Sequence, residues 1–533
     1  MPELHYEIVL RGREPLRDSA ELRQGSFHLR PELPEGTLES VLARLTVPLR
    51  RDGRIFMNGF QTWTYSPEYR REDYTRGVGP LPEWLIRRLA LRSYGDEDFV
   101  DYPRRPGVTH GVSWCYFREG ERFRLFASLD ERPGYTLFRY DAVREELTIR
   151  RDCEGLRCGG PYAVLDLFWA EGSEQQVFNA WFAALGVQPR TTERLAGYSS
   201  WYNRYQRISQ KTITNDLDGC ASQLSPGDLF QIDDGWEPHV GDWLEPDKRK
   251  FPDGMGAAAR AIHEKGFQAG LWLAPFAAQR GSRICREHPD WLLRRDGKPW
   301  LAGINWGGFY ALDLDHPEVL DYLERVFRRV LEEWDYDLVK LDFLYAAAPW
   351  GSERESRAGR MIRAMELLRR LCGEKKILGC GVPLMPAFGL VDYCRVSCDV
   401  GLDWNGSRLM QRTNRERVST RQAMGSTVFR RQLNGRAWLS DPDVFFLREE
   451  NLRLTGEQKL ALATTNALLG GVLLHSDDMA RWTRSARETY QRLLRLRDAE
   501  NVRVTAEKGL ALRYRLDGEE KTCVIESEDS EIR

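Results

Sequence analysis

The sequence predicts a multidomain α/β protein: an N-terminal β-sandwich over residues 1–190, a central (β/α)8 barrel of the TIM type over 191–484, and a C-terminal helix with a small β domain over 485–533. Three observations predict it. Before residue 190, short stretches alternate apolar and polar side chains with period two. From about Gly197, compact apolar runs alternate with segments of helical period, and eight such runs precede the last helical stretch.

In the N-terminal region, TLESVLARLTV, RFRLFASLD and ELTIRRD are punctuated by Gly, Pro and Asp, the pattern of antiparallel strands with one face buried. The eight apolar runs of the central region are 197–203, 228–232, 267–273, 338–341, 377–380, 393–396, 436–439 and 471–475. Helical spacing marks 257–265, 317–333, 357–371 and 455–469 between them. A doubly wound open sheet is the alternative arrangement of the same alternation. Beyond Ser485 a helical stretch leads to NVRVTAE, GLALRYRL and KTCVIES, too short for a core of their own, and the closing SEDSEIR is expected to fray.

Composition narrows the ligand. The 533 residues carry 78 Lys and Arg against 80 Asp and Glu, so no basic field exists to recruit nucleic acid or an acidic membrane, and a neutral small molecule is expected. The 17 tryptophans suit the flat faces of sugars, although core packing accounts for tryptophan as well. The N-terminus lacks the apolar run of a signal peptide and no stretch reaches membrane-span length, so a cytoplasmic location is expected. The ten cysteines fall without zinc-type spacing, which fits reduced thiols; no metal or cofactor is expected.

In such barrels chemistry gathers at the C-terminal ends of the strands. Acids follow the apolar runs at Asp233-Asp234, Asp342, Asp399 and Asp441-Pro442-Asp443. Two carboxyls can divide glycosidic cleavage between them, one protonating the leaving oxygen and one meeting the oxocarbenium-like carbon. A lone acid there serves equally as a helix cap or a loop acceptor. For Asp342 the alternation of a strand puts Lys340 on the same face, where a cation favours the ionised nucleophile. Asp399 follows Arg395 by four residues, and an ordinary ion pair remains the competing reading.

FQIDDGWEPHVGDW, GLWLAPF, REHPDW, VKLDF, ILGCGVPL and DYCRVSCDVGLDW, in this order, resemble glycoside hydrolase family 36, in its shorter bacterial α-galactosidases. The resemblance runs from Ser199-Ser200-Trp201-Tyr202 to Ser476-Asp477-Asp478, and more weakly to Asn58-Gly59-Phe60-Gln61-Thr62-Trp63. It implies a retaining α-galactosidase with Asp342 as nucleophile and Asp399 as acid/base. It further implies that Asp233 and Asp234 bond the 4- and 6-hydroxyls, Lys340 the 3- and 4-hydroxyl side, and Cys380 with Arg395 the region of the 2-hydroxyl. Trp272 and Trp201-Tyr202 would wall the pocket, and Trp63 would close it from outside the barrel. Two departures stand out: Cys398 occupies a position where relatives commonly have Pro, and Gly379-Cys380-Gly381-Val382 replaces the Cys-Ser-Gly-Gly-Gly of longer members.

The competing functions are an α-N-acetylgalactosaminidase, which needs room beside carbon 2, a galactosyl-transferring relative with the same two acids, and a sugar-binding protein that has lost catalysis. A metal-dependent barrel hydrolase is a fourth. The expected partner is a galactoside or galacto-oligosaccharide, and assembly into a homo-oligomer is left open.

Overall fold

The computed structural model describes residues 2–406, 415–505 and 509–527. In the N-terminal domain, a pair of antiparallel sheets face each other. One orders Leu16–Glu21, Glu3–Leu10, Glu32–Thr46, Glu146–Arg151, Thr136–Asp141 and Val108–Val112, with Arg157–Pro161 off its edge; the other orders Gly25–Leu29, Leu165–Ser173, Arg122–Ser128, Trp114–Glu119, Arg54–Met57 and Glu68–Tyr69. Period-two patterning does the sorting. Val41, Ala43, Leu45 and Val47 are all buried and meet Phe117, Phe126 and Tyr140 between the sheets.

Eight parallel strands follow: β1 Leu195–Ser199, β2 Leu229–Ile232, β3 Gln268–Leu273, β4 Leu338–Leu341, β5 Lys376–Gly379, β6 Tyr393–Arg395, β7 Leu439–Asp441 and β8 Val472–His475. They neighbour one another in sequence order, with β8 against β1. Hydrogen bonds from Gly471 N to Ser440 O (2.8 Å) and from Phe445 N to Leu474 O (3.0 Å) close the ring between β7 and β8. The fold is therefore a barrel, not an open doubly wound sheet. Its outer helices carry one apolar stripe each: Pro317–Arg328 buries Val319, Tyr322, Leu323, Val326 and Phe327, the spacing of a single helical face, and starts with Pro at its first position.

Three elements differ from expectation. The first strand ends at Ser199, and Trp201–Arg204 is a helical turn, so Trp201 and Tyr202 leave the barrel wall and stand above it. The seventh strand is Leu439–Asp441, because Arg436 N and Ala437 N both bond back to Leu433 O and hold that stretch in a turn; Asp441 is thus inside the strand, paired with Arg395. The helix expected over 317–333 is α-helical to Arg328 and continues as a π turn, Arg329–Glu333.

After the helix Arg484–Leu496, strands Glu500–Thr505, Gly509–Leu516 and Glu519–Ser527 form an antiparallel sheet. Leu512 and Ile525 belong to the same apolar cluster as the barrel, so the small sheet borrows its core. The stretch 528–533, most of the closing segment expected to fray, lies outside the described residues. Among the described residues no helix is long and apolar enough to cross a membrane.

Candidate active site

The C-terminal ends of the barrel strands open into a cavity of about 470 Å³, within the range of small-molecule sites. Its floor comes from the ends of β2, β3, β4 and β6 and its rim from the connecting loops.

Beyond β2, Asp233 and Asp234 are buried. Asp233 Oδ2 accepts from Gln231 Nε2 (2.9 Å) and Lys340 Nζ (2.9 Å). Asp234 Oδ2 accepts from Gln206 Nε2 (2.9 Å) and from the indole N–H of Trp306 (2.8 Å). Glu237 is buried beside them, where desolvation and the charge of Asp234 push its carboxyl well above the ordinary range. The Lys340 ion pair is thus made with Asp233. Burial alone would strip the Lys340 proton, but the charges of Asp233 and Asp342 outweigh it and keep the ammonium.

Asp342 follows β4. Its Oδ1 accepts from the backbone N–H of Phe343 (2.8 Å) and its Oδ2 from Trp272 Nε1 (3.2 Å), so both oxygens are fixed by donors that cannot swing away. Phe343 adopts the left-handed region at φ 54, a strain that persists because the surrounding rings of Trp63, Trp306, Phe309 and Tyr345 hold it.

Asp399 sits after β6 with about a third of its side chain open to the cavity. Its Oδ1 accepts from Arg395 Nη1 (2.8 Å), the ion pair that the spacing suggested. Burial against the pocket wall and the like charge of Asp443 nevertheless push its carboxyl up to about 6, against the pull of Arg395 and Lys340. Cys398, where relatives commonly have Pro, buries its thiol and donates to Ser419 O (3.6 Å).

Of the residues singled out in the sequence, Trp63, Trp201, Asp233, Asp234, Trp272, Lys340, Asp342 and Asp399 line this one cavity. Tyr202, Cys380 and Arg395 are buried behind the lining. The Tyr202 hydroxyl donates to Asp443 Oδ2 (2.6 Å), so of the Trp201-Tyr202 pair it is the tryptophan that walls the pocket. Trp63 arrives from the sandwich: Thr62 N bonds Val382 O (3.0 Å), Gly381 N bonds Thr62 Oγ1 (2.9 Å), and the indole stands edge-on to Phe343 at 5.0 Å. Gly381, at φ 57, has no room for a side chain, since a Cβ would lie 3.0 Å from the Trp63 ring.

Two groups of site residues escaped sequence reasoning. Trp306 lies in an insertion after β3 that forms the small sheet Ala277–Gln279, Leu301–Gly303 and Phe309–Ala311; its signal was a tryptophan followed directly by Gly307 and Gly308. Asp441 and Asp443 were visible as acids after the seventh run, yet their shared partner Arg395 is 46 residues from Asp441 in sequence.

Four aspartates, a lysine and four tryptophans converging at the mouth of a parallel barrel define a glycoside hydrolase. Residues 194–366 match the melibiase family. The α-galactosidase TtGalA from Thermus thermophilus, solved with p-nitrophenyl α-D-galactopyranoside, superposes with a TM-score of 0.74 at 30% identity, over 93% of this chain and 98% of that one. AgaA from Geobacillus stearothermophilus is 31% identical over 160 residues, 29% of this chain and 21% of that protein, and its crystal structure shares the fold at a TM-score of 0.61 and 14% identity. Mel36A from Lactobacillus acidophilus is 34% identical over 122 residues, 22% of this chain and 16% of that protein; in both curated relatives the match spans about a fifth of the length. The chain belongs to glycoside hydrolase family 36, the family of these α-galactosidases.

Proposed function

We propose that this protein hydrolyses terminal, non-reducing α-D-galactosyl residues with retention of configuration, through a covalent glycosyl-aspartate on Asp342 and with Asp399 as acid and then base. One observation carries the reading: two carboxyls share a cavity in unlike settings, Asp342 pinned by fixed donors and Asp399 raised to about 6 on a partly open loop. The step balances. Asp399 gives its proton to the leaving oxygen as the Asp342 carboxylate bonds to carbon 1; water, deprotonated by Asp399, then displaces Asp342 and restores both groups.

Specificity would reside in Asp233, Asp234 and Lys340. Carboxylates placed for an axial 4-hydroxyl lose their partner in the equatorial epimer, and that mismatch rejects glucosides by several powers of ten. Trp63 supports the same assignment, because its indole N–H is buried and has no partner among the described residues. TtGalA has also been solved with stachyose. An α-galactosyl oligosaccharide is accordingly the substrate class proposed for this chain. We place the enzyme in the cytoplasm.

The test pairs a substrate panel with one variant. Among aryl α-galactoside, α-glucoside and N-acetyl-α-galactosaminide, the first alone should be turned over rapidly. Asp342→Gly should abolish turnover, and azide should restore it by entering from the vacated face to give the β-galactosyl azide. An α-azide product overturns the nucleophile assignment, and preference for the N-acetyl substrate overturns the substrate.

A further inference from the structure

The Arg395 guanidinium is almost fully buried and serves three carboxylates. Its Nη1 donates to Asp399 Oδ1 (2.8 Å) and its Nε to Asp441 Oδ2 (3.0 Å), and its Nη2 forms an ion pair with Asp443 Oδ1 (2.9 Å). Facing Asp399 alone, such a cation would hold it ionised, which is the wrong state for a group that must deliver a proton. Asp443 has a second attachment. Its Oδ2 accepts from the backbone N–H of Val400 (2.8 Å), the residue directly after Asp399, and from the Tyr202 hydroxyl (2.6 Å).

Asp443 is itself held in an uncommon backbone state, at φ 75, with its N–H given to Asp441 Oδ1 (2.9 Å) and its carbonyl accepting from Asn466 Nδ2 (3.0 Å). A non-glycine residue persists there only where its surroundings over-determine it, and strain of this kind gathers at working sites. Asp443 is buried behind the cavity lining, so any effect it has on substrate passes through Asp399.

We propose that Asp443 is a positioning residue for proton transfer: it anchors the Asp399 loop through Val400 and draws off a share of the Arg395 charge that would otherwise fall on Asp399. This rests on the assignment of Asp399 as acid/base. The electrostatics agree, since after burial Asp443 is the largest influence raising Asp399. Among the described residues, the other charged and titratable groups that act on Asp399 or share its cavity wall are Lys340 and Asp342 from β4, Cys380 after β5, Tyr202 and Tyr205 after β1, Cys398 beside it, and Glu416 and Arg417. Asp441 and Asp443 both share the Arg395 guanidinium with Asp399, and of the two it is Asp443 that also holds the Asp399 loop, through Val400.

The test compares pH profiles of kcat/KM for an oligosaccharide α-galactoside. Asp443→Asn keeps the shape and can still accept from Val400 and Tyr202 but loses the charge. Arg395, left with Asp441 as its only other carboxylate, then acts more strongly on Asp399, the proton leaves at lower pH, and the alkaline limb should move down by about one unit, about tenfold in rate at neutral pH. Asp443→Glu, which keeps the charge, should leave the limb near its wild-type position even if kcat drops. A limb that stays put in Asp443→Asn while overall activity falls makes Asp443 merely structural and overturns the proposal.

If Asp443→Asn fails to fold, Tyr202→Phe tests the anchoring alone. It should lower kcat for the oligosaccharide more than for an activated aryl galactoside, with KM unchanged, and wild-type behaviour overturns the proposal. Asp399→Ala separates the two levels: if its profile keeps the wild-type limb, the acid/base assignment fails first, whereas a lost limb there with an unmoved one in Asp443→Asn sinks only the role of Asp443.

Discussion

Asp342 and Asp399 carry the same carboxyl group, and their neighbours give them different work. Both oxygens of Asp342 receive hydrogen bonds from rigid donors, the Trp272 indole and the Phe343 amide. This leaves the carboxylate little freedom and fixes its attack geometry. Asp399 has a single Arg395 contact and an edge open to the cavity, and its carboxyl is raised to about 6 by burial and by Asp443. The sign follows for activity: the general acid is competent while protonated, so kcat/KM for a substrate with a poor leaving group should fall as pH rises above about 6. In Asp399→Ala that limb should vanish. The variant should also lose about 10²–10⁴-fold on poor leaving groups and far less on activated aryl galactosides. Parallel kcat/KM measurements on melibiose and p-nitrophenyl galactoside decide it, and equal losses on both would make Asp399 a residue that only positions substrate.

At the scale of elements, the insertion between β3 and β4 does as much for the pocket as the strands do. It brings Trp306 over the barrel mouth, where the indole meets Trp272 at 5.9 Å and Phe343 at 4.8 Å and donates to Asp234. Trp306→Phe keeps an aromatic wall but removes a donor to a carboxylate, a bond worth about 1.5–3 kcal/mol. The expected result is a fall in kcat/KM of at least tenfold together with a lowered Tm, read by steady-state kinetics on the folded protein and by thermal denaturation; unchanged kinetics would show that Asp234 does not need that bond. The barrel itself was legible because parallel strands buried on both faces read as short unbroken apolar runs, such as Leu338–Leu341. Asp342 and Asp399 were legible because strand ends point at the site. The seventh strand was misplaced because the 433–438 turn is held by local backbone bonds to Leu433 O, which leave no mark in hydropathy. Trp306 and Asp443 escaped for the opposite reason, since their partners Asp234 and Arg395 lie far off in sequence and only the closed ring brings them together.

Across the whole molecule, one buried side chain ties several points of the sandwich to the barrel at once. Arg430, after the helix Thr420–Phe429, donates to Asn58 Oδ1 (3.0 Å), to the carbonyls of Gly59 (3.3 Å), Gln61 (3.1 Å) and Thr62 (2.7 Å), and to Val396 O (3.0 Å) beyond β6. One guanidinium thus satisfies oxygens of the loop that carries Trp63 and of the barrel segment leading to Asp399. Arg430→Met would leave those oxygens without this donor, with Gln61 O still keeping the Thr64 N–H (3.1 Å), at about 1–3 kcal/mol for each that finds no new partner, so a marked drop in Tm is expected. The functional consequence is more specific. If Trp63 closes the galactose pocket, Trp63→Ala should weaken galactose binding by about 1–2 kcal/mol, as desolvated aromatic anchors do elsewhere, with Tm nearly unchanged. If Arg430 is what holds Trp63 in place, the folded Arg430→Met protein should lose a similar amount, and the double variant should lose no more than Arg430→Met alone, because the second change removes a contact already gone. Calorimetric titration of galactose into the four proteins below the lowest transition measures this coupling. Losses that simply add would show that Trp63 keeps its place without Arg430, and a Trp63→Ala protein that unfolds early but binds galactose normally would make the indole a plug between domains.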